Sequence, residues 1–460
     1  MNATGSLLEV KPPALDARTD LTYLHSLVLP IADPGDPVAF LARASAELGG
    51  GILWAQPESE MAFAGAGLAE VFTFHGANRF TAASANLRDL RERVVRQDNE
   101  LFPLIGGFAF DASVGRDPEW REFPDGRLSV PMVLLQETPN NAHLRVTLPA
   151  ASRTTDGVTT RELAALLRRA LAWLSAPRMM CVPAFAQSAH TEQDQCAWEH
   201  QVAQAITAIR SGEMSKVVLA RAEHLRANAA ISADAALGCL REEHPGATLF
   251  AFAGNETRFI GATPERLIRL RDGRVDVTCL AGSVAVGDTP EETAELGRQL
   301  LSSAKDLREH EIVVESTVAA LQTACSEVTR AEGTPRLRQA RSVQHLETPL
   351  SATVHHEADV LQLAGLLHPT PAVGGFPTAP ALDLIRDLET FDRGWYAGPV
   401  GWVDLDGSGE FSVAIRSALI DGQTATVYAG CGIVASSDPA AEFVETKLKL
   451  RPMLAALGGA

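Results

Sequence analysis

Apolar residues in the first 190 positions come in short runs between turn clusters: Gly50-Gly-Ile-Leu-Trp-Ala55, Leu104-Ile-Gly-Gly-Phe-Ala-Phe-Asp111 and Val130-Pro-Met-Val-Leu-Leu135. Such runs predict strands, and the helical spacing over Arg161 to Leu174 predicts a helix among them. The pattern changes at Thr191. Val202, Ala205, Ile206 and Ile209 recur at helical spacing and predict a helix over Glu192 to Arg210 that stops at Ser211-Gly212. Lys216 to Arg221 then alternates as a strand, with Lys216, Val218 and Ala220 on one face. Thr248 to Ala253 and Phe259 to Leu270 predict a hairpin around Gly254-Asn255, and Val275 to Gly282 a further strand. Thr289-Pro-Glu-Glu292 carries a capping-box signature with proline at the first helical position, predicting one long helix from about 290 to 325. Near the C-terminus, Tyr428 to Val434 reads as a strand and a glycine turn. A helix capped by Asp438 and started by Pro439 follows.

Composition narrows the class. The chain has 460 residues and 46% hydrophobic content, enough for a sizeable core in a soluble globular protein. A net charge of −17 with no basic run argues against a nucleic-acid or anionic-membrane surface. An anionic substrate would then need a local cationic pocket or a metal. Six cysteines without C-x-x-C pairs argue against a disulfide framework and a structural zinc site, so reduced thiols and a cytoplasmic location are expected. No signal-peptide pattern and no membrane-length apolar run is found. Residues 1–20 read as a loose lead-in, 21–190 as a strand-rich half without a titratable cluster, and 191–460 as the region that carries chemistry.

The candidate chemistry lies in that second region. Gly430 and Gly432 flank Cys431, where a ligand can approach bare backbone. On the helix that follows, the spacing of Glu442, Glu445 and Lys449 lets all three share a face, although a solvated helix surface with an ion pair has the same spacing. Lys216 opens an apolar strand. It is either a solvated strand end or, if the strand is internal, a desolvated lysine suited to general-base work. Glu265 follows a proline in strand-like sequence, which fits an edge or bulge that re-aims a side chain, or a surface pair with Arg266. Glu309 sits beside the stripe of Leu301, Ile312 and Val313, which keeps a metal role open. Arg416, alternating with Ala414 and Ala418 in an apolar strand, needs an anion to face.

Nine segments, taken in order, resemble the chorismate-utilising enzymes: isochorismate synthases, salicylate synthases, anthranilate synthase large subunits and aminodeoxychorismate synthases. They are Lys216-Val-Val-Leu-Ala-Arg221, Ala262-Thr-Pro-Glu-Arg-Leu267, Leu280-Ala-Gly-Ser283, Lys305-Asp-x-x-Glu-His310, His345-Leu-x-Thr348, His368-Pro-Thr-Pro-Ala-Val-Gly-Gly375, Arg393-Gly-Trp-Tyr-Ala-Gly398, Ala414-Ile-Arg416, and Ala429-Gly-Cys-Gly-Ile-Val434 leading to Glu445-x-x-x-Lys449. The resemblance implies an α/β (α+β) fold: one large domain of two packed antiparallel sheets with helices outside, to which the N-terminal half contributes strands. It implies Mg2+ on Glu309 and Glu445, where the ion holds the ring carboxylate of chorismate. It implies Lys216 as the general base that activates water and Glu265 as the general acid. Arg416 and the Gly430 to Gly432 backbone would receive the enolpyruvyl carboxylate, with Gly282, Ser283, His345, Thr348, Tyr396, Glu442 and Lys449 as further substrate contacts.

Ammonia-using relatives typically have glutamine where this chain has Lys216, so lysine implies water as the nucleophile and no amidotransferase partner. The chain departs from many relatives at Ser283, where threonine is common, and at Val284-Ala285-Val286, a stretch that often carries arginine. Gly106 to Asp111 and the long N-terminal half are most similar to the menaquinone-pathway isochorismate synthases. The siderophore-pathway enzymes, a salicylate synthase, an ammonia-dependent synthase and a non-catalytic chorismate-binding protein are the competing readings.

Overall fold

A single long strand, Gly126–Glu137, sets the architecture. Along one edge it pairs with Met61–Phe74; along the other, its first half takes Leu104–Phe108 and its second half takes Ala142–Ala150. The sheet therefore forks. One arm runs from Met61–Phe74 through Ile52–Gln56, Thr248–Ala253, Thr257–Thr263, Ser417–Asp421 and Thr424–Ile433 to Lys216–Ala227. The other runs from Leu104–Phe108 through Pro399–Val403, Gly409–Val413, Arg266–Arg271 and Arg274–Ala285 to Val343–Val354. Every pairing along both arms is antiparallel. This computed structural model describes residues 22–96, 98–152, 157–180, 186–188, 192–339, 343–355 and 358–458, so the expected lead-in over 1–20 lies outside the described residues.

The two arms lie face to face because each presents aromatic side chains to the other: Trp402 of the second arm meets Phe63 at 5.1 Å and Trp54 at 6.2 Å in the first, both edge to face. Rings from the connecting segments fill the rest of the gap. Trp395 meets Phe123 at 5.2 Å and Phe252 at 5.4 Å, and Trp120 meets Phe259 at 5.1 Å, all edge to face. Each such ring contributes roughly 1.5–3 kcal/mol by leaving water. A second core lies on the outer face of the first arm, under the helices Pro37–Leu48, Gly157–Trp173, Ala233–Glu243 and Pro439–Ala456. The result is two packed antiparallel sheets with helices outside.

Four expectations need correction. The run from Phe259 to Leu270 is two strands belonging to different arms: the chain leaves the first arm after Thr263 and enters the second at Arg266. Pro264 makes the break, since it cannot donate to a ladder. Arg416 does not alternate within a strand either. Gly409–Val413 ends in the second arm and Ser417–Asp421 begins in the first, leaving Arg416 in the crossover with a left-handed φ of 54°. The two crossovers are laced together: Val413 N–H donates to Glu265 O, Ala262 N–H donates to Arg416 O, and Thr263 Oγ1 donates to Val413 O at 2.6 Å. Third, Cys239 is disulfide-bonded, whereas Cys196, Cys279, Cys325 and Cys431 are free thiols. Sequence spacing carries no information about which sulfurs meet in space.

The long helix expected over 290–325 is two helices, Pro290–Ser302 and Ala304–Leu321. Ser303 adopts an extended conformation and accepts the Asp306 N–H on its Oγ, so a residue inside the periodic pattern acts as a cap. The second helix thereby starts afresh and turns Glu309 towards the sheets. Ser303→Ala should lower stability by about 1 kcal/mol, read as a lower urea midpoint at constant slope. An unchanged midpoint would show that the boundary is set by packing alone.

Candidate active site

The two crossovers, the starting end of Lys216–Ala227, the closing end of Thr424–Ile433, and the helices Ala304–Leu321 and Pro439–Ala456 enclose a cavity of about 310 Å³. Lys216, Glu265, Gly282, Ser283, Glu309, His345, Tyr396, Arg416, Gly430, Gly432, Glu442, Glu445 and Lys449 all line it. Thr348 does not. It is buried behind the wall, where its Oγ1 lies 2.7 Å from Nε2 of His310.

Lys216 is only 1% exposed because its strand is internal, with Thr424–Ile433 on one side and Gly375-Phe376 on the other. Its Nζ donates to Oε1 of Glu309 at 2.9 Å. Gly432 makes room for that pair: a Cβ there would sit 2.8 Å from Lys216 Cε and 3.0 Å from Glu309 Oε1. On the C-terminal helix, Asp438 accepts the Ala441 N–H at 2.9 Å and Pro439 occupies the first turn, as the sequence predicts. Glu442, Glu445 and Lys449 share the face that looks into the cavity. Lys449 Nζ donates to Glu445 Oε1 at 2.6 Å and to Gly430 O at 3.0 Å. Burial alone would raise the Glu445 carboxyl, but the Lys449 charge and hydrogen bond outweigh it and hold the group below its usual range. Glu442 is raised, chiefly by burial.

Glu265 differs from these carboxylates. Burial drives its carboxyl up to about 7 against the pull of Arg416, Lys216 and Lys449, and among the described residues no side chain hydrogen-bonds it. It is poised to hold or release a proton near neutrality. Arg416 enters the cavity with no hydrogen bond or ion pair to its guanidinium among the described residues. An unpaired guanidinium in a partly dry cavity is a receptor for a carboxylate. Burial, Arg416 and Lys449 together push His345 down to about 3, so its ring is neutral, with Ser283 Oγ at 2.8 Å from Nδ1. Gly282 aims that serine: it is the extra residue of a bulge between Ala281 and Ser283, at φ 75°. Burial lifts the Tyr396 phenol to about 12, leaving a neutral hydroxyl as donor.

Two cationic side chains line the cavity in addition to the candidates read from the sequence, Lys305 and Arg393. Lys305, four residues before Glu309, lies 3.9 Å from Glu442; that spacing to Glu309 was the available signal. Arg393 is buried, stacks on Phe110 at 4.2 Å and donates to Val373 O and Val218 O, so it fixes the wall rather than facing the cavity for an anion. Among the described residues, no group of three or more His, Cys, Asp or Glu is gathered closely enough to hold a metal by itself.

Two facing sheets with a charged cavity at their crossovers, holding a guanidinium unpaired among the described residues and a carboxyl poised near neutrality, form the framework of an enzyme site. The chain belongs to the chorismate binding enzyme family, whose profile matches residues 14–458. It is 37% identical to isochorismate synthase MenF of Bacillus subtilis over 446 residues, covering 92% of this chain and 91% of that protein. It is 38% identical to the salicylate biosynthesis isochorismate synthase of Pseudomonas aeruginosa, covering 93% and 89%. The solved structure of MenF, the menaquinone-specific isochorismate synthase from Escherichia coli, superposes with a TM-score of 0.77 at 27% identity over 95% of each chain. Anthranilate synthase component I from Streptococcus pneumoniae shares the fold, with a TM-score of 0.70 at 22% identity over 86% of this chain and 92% of that one.

Gly432→Ala should leave the fold intact by circular dichroism and reduce turnover about 10²-fold, because the new methyl displaces Lys216 and Glu309. Wild-type turnover in that variant would remove the Lys216–Glu309 geometry from the chemistry.

Proposed function

We propose that this protein converts chorismate to isochorismate by adding water at C2 while the C4 hydroxyl leaves. The observation that carries this reading is the pairing, in one cavity, of a buried lysine with a carboxyl raised to about 7, with Arg416, unpaired among the described residues, in the same cavity to take a carboxylate. Full-length similarity to two isochorismate synthases supports it. Lysine at 216, where ammonia-using relatives typically have glutamine, favours water as the nucleophile.

In the forward direction the base is the amine form of Lys216, reached when the ammonium paired with Glu309 gives up a proton: its Nζ takes a proton from the attacking water, and the Glu265 carboxyl gives one to the departing C4 oxygen, which leaves as water. The ring double bonds shift in between. Arg416 and the backbone around Gly430 and Gly432 hold the enolpyruvyl carboxylate. His345, neutral and next to Ser283, and the Tyr396 hydroxyl supply uncharged hydrogen bonds that orient the ring.

The donor chemistry fits Mg2+: carboxylate oxygens of Glu309 and Glu445 project into the cavity from two helices, with Glu442 beside them. Magnesium is usually held by one or two carboxylates together with substrate oxygens and water, so a preassembled cluster is not required. When bound, the ion neutralises acidic side chains and anchors the substrate's ring carboxylate. In the free cavity Glu309 and Glu445 are held by Lys216 and Lys449.

We assign the chemistry to residues 191–460, with 21–190 completing the shared core, and place the protein in the cytoplasm without an amidotransferase partner. No described helix is long and apolar enough to cross a membrane. The pathway we propose is menaquinone biosynthesis, following the likeness to MenF. Supply of isochorismate for salicylate is the second reading, favoured by the Pseudomonas aeruginosa relative. Restoration of menaquinone in a bacterium lacking its own isochorismate synthase would support the first; failure to restore it despite soluble, active protein would favour the second.

Lys216→Ala should bind chorismate normally but turn over about 10²–10⁴-fold more slowly. Near-normal turnover would remove Lys216 from the mechanism. Forward turnover requires protonated Glu265, so it should fall as pH rises through about 7, whereas the reverse reaction requires the carboxylate and should rise over the same interval. Glu265→Gln should abolish both limbs. Chelation of divalent ions should stop turnover, and alanine at Glu309 or Glu445, but not at Glu315, should weaken Mg2+ binding by calorimetry with substrate present. Unchanged affinity in both variants would overturn the metal assignment.

A further inference from the structure

Behind Glu265, on the side away from the main cavity, lies a second, small pocket. It has room for about 10 Å³ of water-sized volume, and its polar lining is Glu265, Arg266, Thr370, Thr278, Thr317 and Cys279. Glu265, Leu280 and Ala372 line both spaces and so form the partition between them. Two facts single this pocket out. The Oγ1 of Thr370 is shielded from solvent and has no hydrogen-bond partner among the described residues, and the Glu265 carboxyl has none either. Thr317 is already engaged, donating to Val313 O at 2.8 Å. Buried polar groups are nearly always paired, through an ordered water where no protein group reaches. A site of about 10–15 Å³ holds one water, which needs at least two polar partners.

We propose that one ordered water occupies this pocket, bridging the Glu265 carboxyl and the Thr370 hydroxyl, and that Thr370 is a positioning residue for the acid. The bridge rests on the reading of Glu265 as proton donor. It gives the carboxyl a fixed orientation, with one oxygen towards the pocket and the other towards the substrate. When Glu265 releases its proton to the leaving oxygen, the water and the Thr370 hydroxyl hydrogen-bond the carboxylate that remains. Nothing is transferred through Thr370, whose own proton stays in place. The charges that face Glu265 from the other side, Arg416, Lys216 and Lys449, also favour its ionised form, and the neighbouring Arg266 is occupied by Glu410 at 2.8 Å. The Thr370–water pair is thus the neutral, short-range part of that support.

Thr370→Val removes the hydroxyl at nearly constant shape, and Thr370→Ser keeps the hydroxyl. The Val variant should lower forward kcat about tenfold, the scale of one lost hydrogen bond to a charged group, with KM within about twofold. It should also move the pH at which forward turnover fails upwards, since the carboxylate has lost a donor. The Ser variant should restore both. A Val variant with wild-type kcat and an unmoved pH limb overturns the bridge. So does a Ser variant as impaired as Val with the same thermal midpoint, because packing would then explain the loss. If instead Glu265→Gln keeps most of the wild-type activity, the acid assignment itself fails, whatever Thr370 does.

Discussion

Charge taken out of water must find a partner, and the cavity is arranged around that constraint. Lys216 meets Glu309, Lys449 meets Glu445, and Lys305 lies near Glu442. Two groups stand outside this pairing. Arg416 has a charge and no protein partner among the described residues, and Glu265 meets its burial by holding a proton near neutrality. In the proposed reaction a substrate carboxylate would answer the first, and a leaving hydroxyl that needs a proton the second. In a protein of net charge −17, a dianion would otherwise be repelled.

The fold delivers both groups by one device. Glu265 and Arg416 occupy adjacent crossovers between the two arms, tied by the hydrogen bonds of Thr263, Val413 and Ala262. A side chain in the middle of either strand would point into an apolar core or under a helix. At a crossover it enters the gap between sheets, and the left-handed backbone of Arg416 is held there by paired strands on both sides. Lys216 and Gly432 follow the same logic at the end of neighbouring strands, where the missing glycine side chain is filled by the lysine's own methylenes.

Much of this was legible in the sequence wherever local chemistry decides the outcome. Asp438-Pro439 marks a helix start by its capping atoms, and the spacing of Glu442, Glu445 and Lys449 places them on one face whatever the rest of the chain does. Ser303 was read as helix interior because apolar periodicity continues past it; only the structure shows its hydroxyl acting as a cap. Phe259 to Leu270 and Gly409 to Ala418 each look like one strand, since periodicity records alternation and not which sheet a residue joins. Thr348 is a substrate contact only by the family resemblance, through the segment His345-Leu-x-Thr348. In the strand Val343–Val354 that odd spacing puts it on the opposite face, against His310. The two-sheet arrangement itself came from likeness to a family, because long-range pairing leaves no periodic trace in one sequence.

The central claim is that the new hydroxyl comes from water at C2, activated by Lys216. It is tested most directly by incubating the purified protein with chorismate and Mg2+ in water labelled with heavy oxygen, and examining isochorismate by mass spectrometry at early conversion. Addition of water predicts one labelled oxygen in each isochorismate formed, located in the C2 hydroxyl. Isochorismate carrying only the unlabelled oxygen of the original substrate would mean that the C4 hydroxyl migrates within the molecule, and would contradict the roles given to Lys216 and Glu265.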